Sequence, residues 1–401
     1  MTHQSLSIRV LALSVVLPAL PLSRSPAQSV RPGVDVLLTD SLHLIAGKRL
    51  GLITNQAGVD ARGVSTIDRL WSLPAPRSPL PAPRLVALFA PEHGLRGTAA
   101  PGETVADSVD AATGLPIYSL YGARRAPSAA QLAELDVLVV DLPDVGARPW
   151  TFVSTMVAAL RAAAAAGRRI VVLDRPNPIG CRASGPVLDT AYASFIGALS
   201  VPLRHGLTIG ELARFANGEL HLGADLVVVP VQGWRRCTWF DQTGLPWVRP
   251  SPNLPDLASV AWFPGIVLFE ATNLSVGRGT DAPFRQIGAP WLDSPALAAR
   301  LARRGIRADT VTFTPVNPGD GKYPGAAVRG IRLPTANRRD SAEPIRVAQT
   351  ILAEVRALHP DSLRADRRSL AIRLGVDAAA TRDWSRTPGR WRREVRPYLL
   401  Y

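Results

Sequence analysis

The feature that most constrains this chain is a series of short, uninterrupted apolar runs separated by helical patterns. The segment Asp136-Val137-Leu138-Val139-Val140-Asp141 and the segment 169–174 carry nothing polar between their ends. Runs of this kind, rich in β-branched residues, are what a strand buried on both faces presents. Residues 49–54, 84–90 and 226–231 read as further strands, and 115–120 as a short one. Between them, 65–73, the Ala-rich stretch 151–166 and 208–217 read as helices. The order predicts an α/β fold: a Rossmann-like, doubly wound and mostly parallel sheet with helices on both faces, spanning residues 30–235.

After Val231 the rhythm breaks. Residues 233–291 are rich in Pro, Gly, Trp and Asn without a long periodic helix, and predict extended loops. Helical patterns at 294–304 and 341–359, with a strand at 307–313, predict a smaller α+β domain over residues 236–401. Two domains suit 401 residues. The Pro-rich stretch 76–83 lies inside the alternation and reads as a connection.

Residues 1–27 read as a signal peptide: His3 and Arg9 precede an apolar stretch from Val10 to Leu22, and Ser25-Pro26-Ala27 ends in a small residue. Pro18 and Pro21 interrupt that stretch too early for a bilayer span. The expectation is an exported protein, periplasmic or secreted, with no membrane span. Cys181 and Cys237 can form one disulfide or remain two buried thiols, and two cysteines alone cannot build a structural zinc site.

The net charge of +14 invites a polyanion, yet Lys48 and Lys322 are the only lysines and the arginines are scattered. They thicken towards the end, as in Arg303-Arg304 and Arg392-Arg393, mixed with acids on what read as solvated helix faces. A nucleic-acid surface would gather them into a patch interleaved with aromatics, so nucleic acid is not expected as a partner.

Ligands of open parallel sheets bind beyond the carboxyl ends of the strands, and those ends are polar here. They carry Thr54-Asn55-Gln56, Glu92-His93-Gly94, the stretch from Tyr118 to Tyr121-Gly122, Asp141 with Asp144-Val145-Gly146, and Asp174-Arg175-Pro176-Asn177. Glu92 stands out. It directly follows an apolar strand, where partial desolvation suits a general acid; the alternative is a helix cap or an ion-pair partner of Arg96. His93 is either a second acid/base group or a hydrogen-bonded loop histidine. Asp144 and Asp174 are sugar ligands, partners of Arg148 and Arg175, or strand-end caps.

Other chemistries lack their signatures. No Gly-x-Gly-x-x-Gly follows the first strand, Tyr323 replaces the Ser or Thr that a phosphate loop needs after Gly319-Asp320-Gly321-Lys322, and neither Gly-x-Ser-x-Gly nor His-Glu-x-x-His occurs. No cofactor or metal is therefore expected, and carboxylate-driven hydrolysis leads. Trp234, Trp239, Trp247, Trp262 and Trp291 are close in sequence and offer flat faces for sugar rings, although most are expected to be core.

These residues resemble the bacterial exo-β-N-acetylmuramidase (NamZ) family. The likeness runs from about Gly33 to Tyr401. It is carried by Gly51-Leu52-Ile53-Thr54-Asn55, by Phe89-Ala90-Pro91-Glu92-His93-Gly94-Leu95-Arg96-Gly97 and by Asp141-Leu142-Pro143-Asp144-Val145-Gly146-Ala147-Arg148. Asp174-Arg175-Pro176-Asn177-Pro178, Arg204-His205-Gly206-Leu207-Thr208-Ile209-Gly210-Glu211, Pro250-Ser251-Pro252-Asn253 and the stretch from Asn273 to Trp291 extend it. Cys181 and Ala271 stand where the family usually has Gly.

The resemblance implies a glycosidase that removes terminal N-acetylmuramic acid from the non-reducing end of peptidoglycan fragments, in a cleft between the two domains. It places the family's proposed catalytic glutamate on Glu92. For a second catalytic role Asp144 comes first, then Glu270 and Asp174. Direct attack would need carboxyls about 5 to 5.5 Å apart and water activation about 6.5 to 9.5 Å, while the sugar's own acetamido group is a third route. Arg148, Arg175 and Arg278, in that order, are candidates for the lactyl carboxylate. Asn55, Tyr118, Asn177, His205 and Asn273 complete the substrate-binding candidates. A non-catalytic muropeptide-binding protein on the same scaffold is the alternative.

Overall fold

The computed structural model describes residues 29–73, 80–97, 103, 106–335 and 343–401. The expected signal peptide lies outside them, as do part of the Pro-rich connection and the first two positions of the helix expected at 341–359.

In chain order the first domain contains α1 (Gly33–Thr39), β1 (Arg49–Thr54), α2 (Thr66–Trp71), β2 (Arg84–Ala90), β3 (Ser108–Val109), β4 (Pro116–Ser119) and α3 (Ala129–Ala133). It continues with β5 (Val137–Asp141), α4 (Thr151–Ala165), β6 (Arg169–Leu173), the strands β7 (Ser184–Val187) and β8 (Pro202–Arg204), α5 (Ile209–Glu219) and β9 (Leu226–Val229). Seven strands form one sheet in the order β3-β4-β2-β1-β5-β6-β9, parallel except for the edge strand β3, while β7 and β8 pair separately. The chain order reverses at β1, which pairs with both β2 and β5.

Strand alternation explains why both faces are dry. Leu50, Leu52, Leu88, Val137 and Val139 pack with Val34, Leu37 and Ile67 on the α1/α2 face. Ile53, Phe89, Leu138 and Val140 pack with Phe152, Met156 and Leu212 on the α4/α5 face. Burying each large side chain stabilises the fold by about 1.5–3 kcal/mol, so the sheet needs apolar residues at both parities.

The closing domain contains α6 (Leu257–Ile266), β10 (Gln286–Ala289), α7 (Ser294–Arg303), β11 (Asp309–Phe313), β12 (Val328–Arg332), α8 (Pro344–Leu358), α9 (Arg367–Leu374) and α10 (Trp391–Val395). Its sheet is antiparallel, in the order β10-β12-β11. The stretch expected to be loops thus holds a helix, α6. From Ser259 to Ile266 every residue of α6 is buried, Pro264 included, and a helix covered all round has no amphipathic period to read. The apolar cluster on the α4/α5 face continues without a break through Phe263, Phe284, Ile287 and Ile351 of this second unit. The chain end folds back as well: the Tyr401 hydroxyl donates to Asp174 Oδ2 and accepts from the Val231 amide, both at 2.7 Å.

Cys181 and Cys237 form a disulfide that joins the loop after β6 to the loop after β9. It closes a loop of 56 residues, and a cross-link of that span restricts the unfolded chain by about 2–4 kcal/mol. Replacing both cysteines by Ala is expected to lower the unfolding free energy by that amount in urea titrations. A change below about 0.5 kcal/mol would show that the bridge adds nothing to stability.

Candidate active site

Glu92 owes its position to the turn that ends β2. The Gly94 amide donates to the Pro91 carbonyl (3.0 Å), and both His93 (φ 71) and Gly94 (φ 73) adopt left-handed backbone. A non-glycine residue in that region is strained, and such strain persists where the surroundings hold it. His93 is buried, 3% exposed, whereas Glu92 is half-buried. Thr151, the first residue of α4, donates its hydroxyl to Glu92 Oε2 at 2.6 Å. A second hydrogen bond joins Glu92 to Tyr121, whose phenol is pushed up to about 12 by burial first and by the Glu92 charge second. Tyr121 therefore keeps its proton throughout the neutral range.

Glu92, His93, Tyr121 and Thr151 line one side of a cleft of about 170 Å³. Trp150 and Phe263 line it too, and Glu270, Arg278 and Arg373 come from the closing domain. Glu270 Oε1 accepts from Arg278 Nε (2.9 Å) and Nη2 (2.5 Å). Its Oε2 accepts from Arg373 Nε and Nη2, both at 3.3 Å. Burial would raise the Glu270 carboxyl, but the two guanidiniums outweigh it and hold the group below its ordinary range. Lys322 stands behind this corner, its ammonium donating to the carbonyls of Phe269, Glu270 and Leu274.

Comparison with known proteins gives this cleft its context. Residues 50–258 match the family described as "Exo-beta-N-acetylmuramidase NamZ, N-terminal", and residues 261–401 match its C-terminal counterpart. The chain belongs to the NamZ family. It is 41% identical over 333 residues to the peptidoglycan beta-N-acetylmuramidase NamZ of Bacillus subtilis (strain 168), covering 83% of this chain and 78% of that protein. Two DUF1343 family crystal structures from Bacteroides fragilis NCTC 9343 share the fold. The first has a TM-score of 0.83 and 33% identity, covering 94% of this chain and 100% of its own. The second has a TM-score of 0.71 and 29% identity, covering 93% and 99%.

Of the residues singled out from sequence, this NamZ family member brings Glu92, His93, Glu270 and Arg278 together in the cleft. Asp144, expected as the second catalytic group, is elsewhere. Its Oδ2 accepts from the Gly146 amide (2.7 Å) and lies 3.3 Å from His205 Nε2, and it lines a separate cavity of about 40 Å³ with Arg175. His205 Nδ1 accepts from the Leu207 amide, so Nε2 carries the ring proton, and that N–H makes no hydrogen bond to Asp144 among the described residues. Asp144 and His205 thus lie side by side and buried, each accepting from a backbone amide two residues on in its own loop.

The other strand-end candidates hold the scaffold. Arg175 donates Nε and Nη2 to Asp141 (2.6 and 2.7 Å). Asp174 accepts from the Gly210 amide, Thr208 and Tyr401, and burial raises its carboxyl to about 6. Asn177 spans Leu207 O and the Ile179 amide, Asn55 accepts from the Ala57 amide, and Asn273 ties to Ser362 and Arg364. Tyr118 packs on Phe89 with ring centroids 5.5 Å apart. The five clustered tryptophans are absent from the cleft lining, where Trp150 takes the aromatic role. Thr151 and Arg373 carried no motif signal, since one reads as the start of an Ala-rich helix and the other as a solvated helix arginine. Tyr121 was visible as a strand-end residue but indistinguishable from Tyr118.

Arg148 is the clearest reassignment. It is 3% exposed, and its guanidinium donates to the carbonyls of Pro186 (2.9 Å), Val201 (2.7 Å), Arg373 (3.1 Å) and Leu374 (2.6 Å). No carboxylate of a substrate can reach a group so occupied. Arg148→Met is expected to lower the unfolding free energy by on the order of 3–5 kcal/mol, because it strands several buried carbonyls at once. A loss under about 1 kcal/mol together with a raised KM would return Arg148 to substrate binding.

Proposed function

We propose that this protein is an exo-acting glycoside hydrolase that releases terminal N-acetylmuramic acid from the non-reducing end of peptidoglycan fragments, with Glu92 as general acid. The observation that carries the reading is the Glu92 carboxyl held by Thr151 and Tyr121 in a cleft whose far wall is cationic. Membership of the NamZ family and the named activity of the Bacillus subtilis relative support it. Cell-wall turnover is the setting that such a substrate implies.

The chemistry follows from the partners of Glu92. Cleavage breaks the bond between the anomeric carbon and the bridging oxygen, and the departing oxygen needs a proton as positive charge builds on the ring. Glu92 supplies that proton. Thr151 and Tyr121 are hydroxyls that can donate to the carboxylate or accept from the carboxylic acid, so neither protonation state is left unpartnered. Water then adds to the anomeric carbon and its surplus proton restores Glu92. Glu270 is the other carboxylate of the cleft, but both its oxygens are engaged by guanidiniums. A carboxylate so engaged is a poor nucleophile, and its role is to fix the two arginines.

Export, periplasmic or secreted, belongs to the same reading. It is supported by the composition of residues 1–27 and by the cross-link between Cys181 and Cys237, a bond that persists in oxidising compartments. Among the described residues no helix is long and apolar enough to cross a membrane, and no group of three or more His, Cys, Asp or Glu is placed to hold a metal ion.

The test is sugar release from the disaccharide MurNAc-GlcNAc. Glu92→Gln is expected to reduce kcat by about a thousandfold or more with an unchanged circular dichroism spectrum. Near-normal turnover by that variant would remove Glu92 from the mechanism. Tight binding of the disaccharide by the unmutated protein with no release would favour a non-catalytic binding protein instead. Thr151→Val is expected to lower kcat about tenfold or more, and Thr151→Ser to restore most of it, because the hydroxyl is what aims the acid. Equal activity of the Val and Ser variants would deny Thr151 that part.

A further inference from the structure

N-acetylmuramic acid differs from N-acetylglucosamine by a lactyl ether that ends in a carboxylate, so a site reading the difference must offer a cation where Glu92 meets the glycosidic oxygen. The Glu270 corner offers one. Arg278, Arg373 and Lys322 face the carboxylates of Glu270 and Asp320, the latter 4.0 Å from Lys322, so this corner holds three cations to two acids, with Glu92 across the cleft. The side chains of Glu270, Arg278 and Arg373 are each less than a fifth exposed. An excess cation so far from water favours an incoming anion much more than a surface arginine does.

The donors also keep N–H capacity to spare. Arg278 is anchored by Nε and Nη2 on one oxygen of Glu270, and its Nη1 makes no hydrogen bond among the described residues. Arg373 is held by Nη1 on Ser369 Oγ (2.6 Å), whereas its two contacts with Glu270 are long at 3.3 Å. Two planar guanidiniums set on the two oxygens of a single carboxylate present neighbouring N–H groups, a geometry suited to a second carboxylate. We propose that Arg278 and Arg373, spaced by Glu270, are the receptor for the lactyl carboxylate, and that Arg373 is the specificity-determining residue that makes the enzyme prefer an acidic sugar. The proposal rests on the exo-muramidase reading and adds which residues read the substrate's charge.

It is tested by calorimetric binding of free N-acetylmuramic acid and of its methyl ester, with the unmutated protein, Arg373→Met and Arg373→Lys. The unmutated protein is expected to bind the acid at least tenfold tighter than the ester. Arg373→Met should bring that ratio close to one, and Arg373→Lys, which keeps the charge but loses the fork, should retain part of it. Equal binding of acid and ester by the unmutated protein would overturn the proposal. So would an unchanged ratio in Arg373→Met with both affinities reduced, the mark of a purely structural role, or binding of neither ligand by a protein that still cleaves MurNAc-GlcNAc. Failure of the unmutated protein to cleave that disaccharide would instead strike the exo-muramidase reading itself. Thermal melts of both variants guard against unfolding, and Arg278→Met should lower the same ratio by an independent route.

Discussion

The arrangement of the cleft depends on one buried guanidinium. Arg148 comes from the loop after β5, in the first domain, and two of its four carbonyl acceptors are the last residues of α9 in the second. The α9 terminus has carbonyls that no helix bond can use, and an arginine there satisfies them while complementing the negative end of the helix dipole. The fit requires Gly375. Its φ of 85° ends the helix, and a Cβ at that position would lie 2.2 Å from Arg148 Nη2. Because Arg373 is the penultimate residue of this docked end, the contact that seats α9 on the first domain also sets where Arg373 reaches into the cleft.

Glu92 is positioned by the opposite kind of device. Its strand is central to a sheet dry on both faces, so the carboxyl end of β2 is fixed by packing before any polar group is considered. The left-handed pair His93 and Gly94 turns the chain at once, and the hydroxyl of Thr151 at the start of α4 meets the carboxyl. The strand end and turn come from the sheet, and the helix start from the helical layer that covers one face of it. The acid is therefore rigid, whereas the cationic wall is carried by loops and by the last turn of a short helix.

Much of the fold was legible for the same reason. A strand covered on both faces must be apolar throughout, and β1, β2, β5 and β6 announce themselves that way in sequence. The rule fails for α6, where complete burial erased the helical period, and for the short pair β7 and β8, which has too few residues to establish one. The site was legible only in part. Polar strand ends are required by any parallel sheet whose crossover loops need hydrogen-bond partners, and Asn55, Asp174 and Asn177 serve that need. A strand-end carboxylate that works on substrate and one that caps a helix look alike in a sequence. What separates Glu92 from Asp144 and Asp174 is the cleft it faces, and that is a property of the second domain.

The charge of the chain illustrates the distinction further. A surplus of fourteen positive charges reads as attraction to polyanions, yet many of the arginines neutralise a local acid, as Arg124 does Asp107 and Arg332 does Asp281. Exposed pairs of this sort contribute little energy and are screened within about 10 Å at moderate salt. Arg148, Arg278 and Arg373 matter because they are buried, where one guanidinium can orient a helix or favour an anion at a fixed point. Net charge measures only the excess of cations over anions, 46 against 32 here, whereas binding depends on where the few buried cations lie. The arginines that shape the cleft are thus those that contribute least to the basic surface by which the sequence first draws notice.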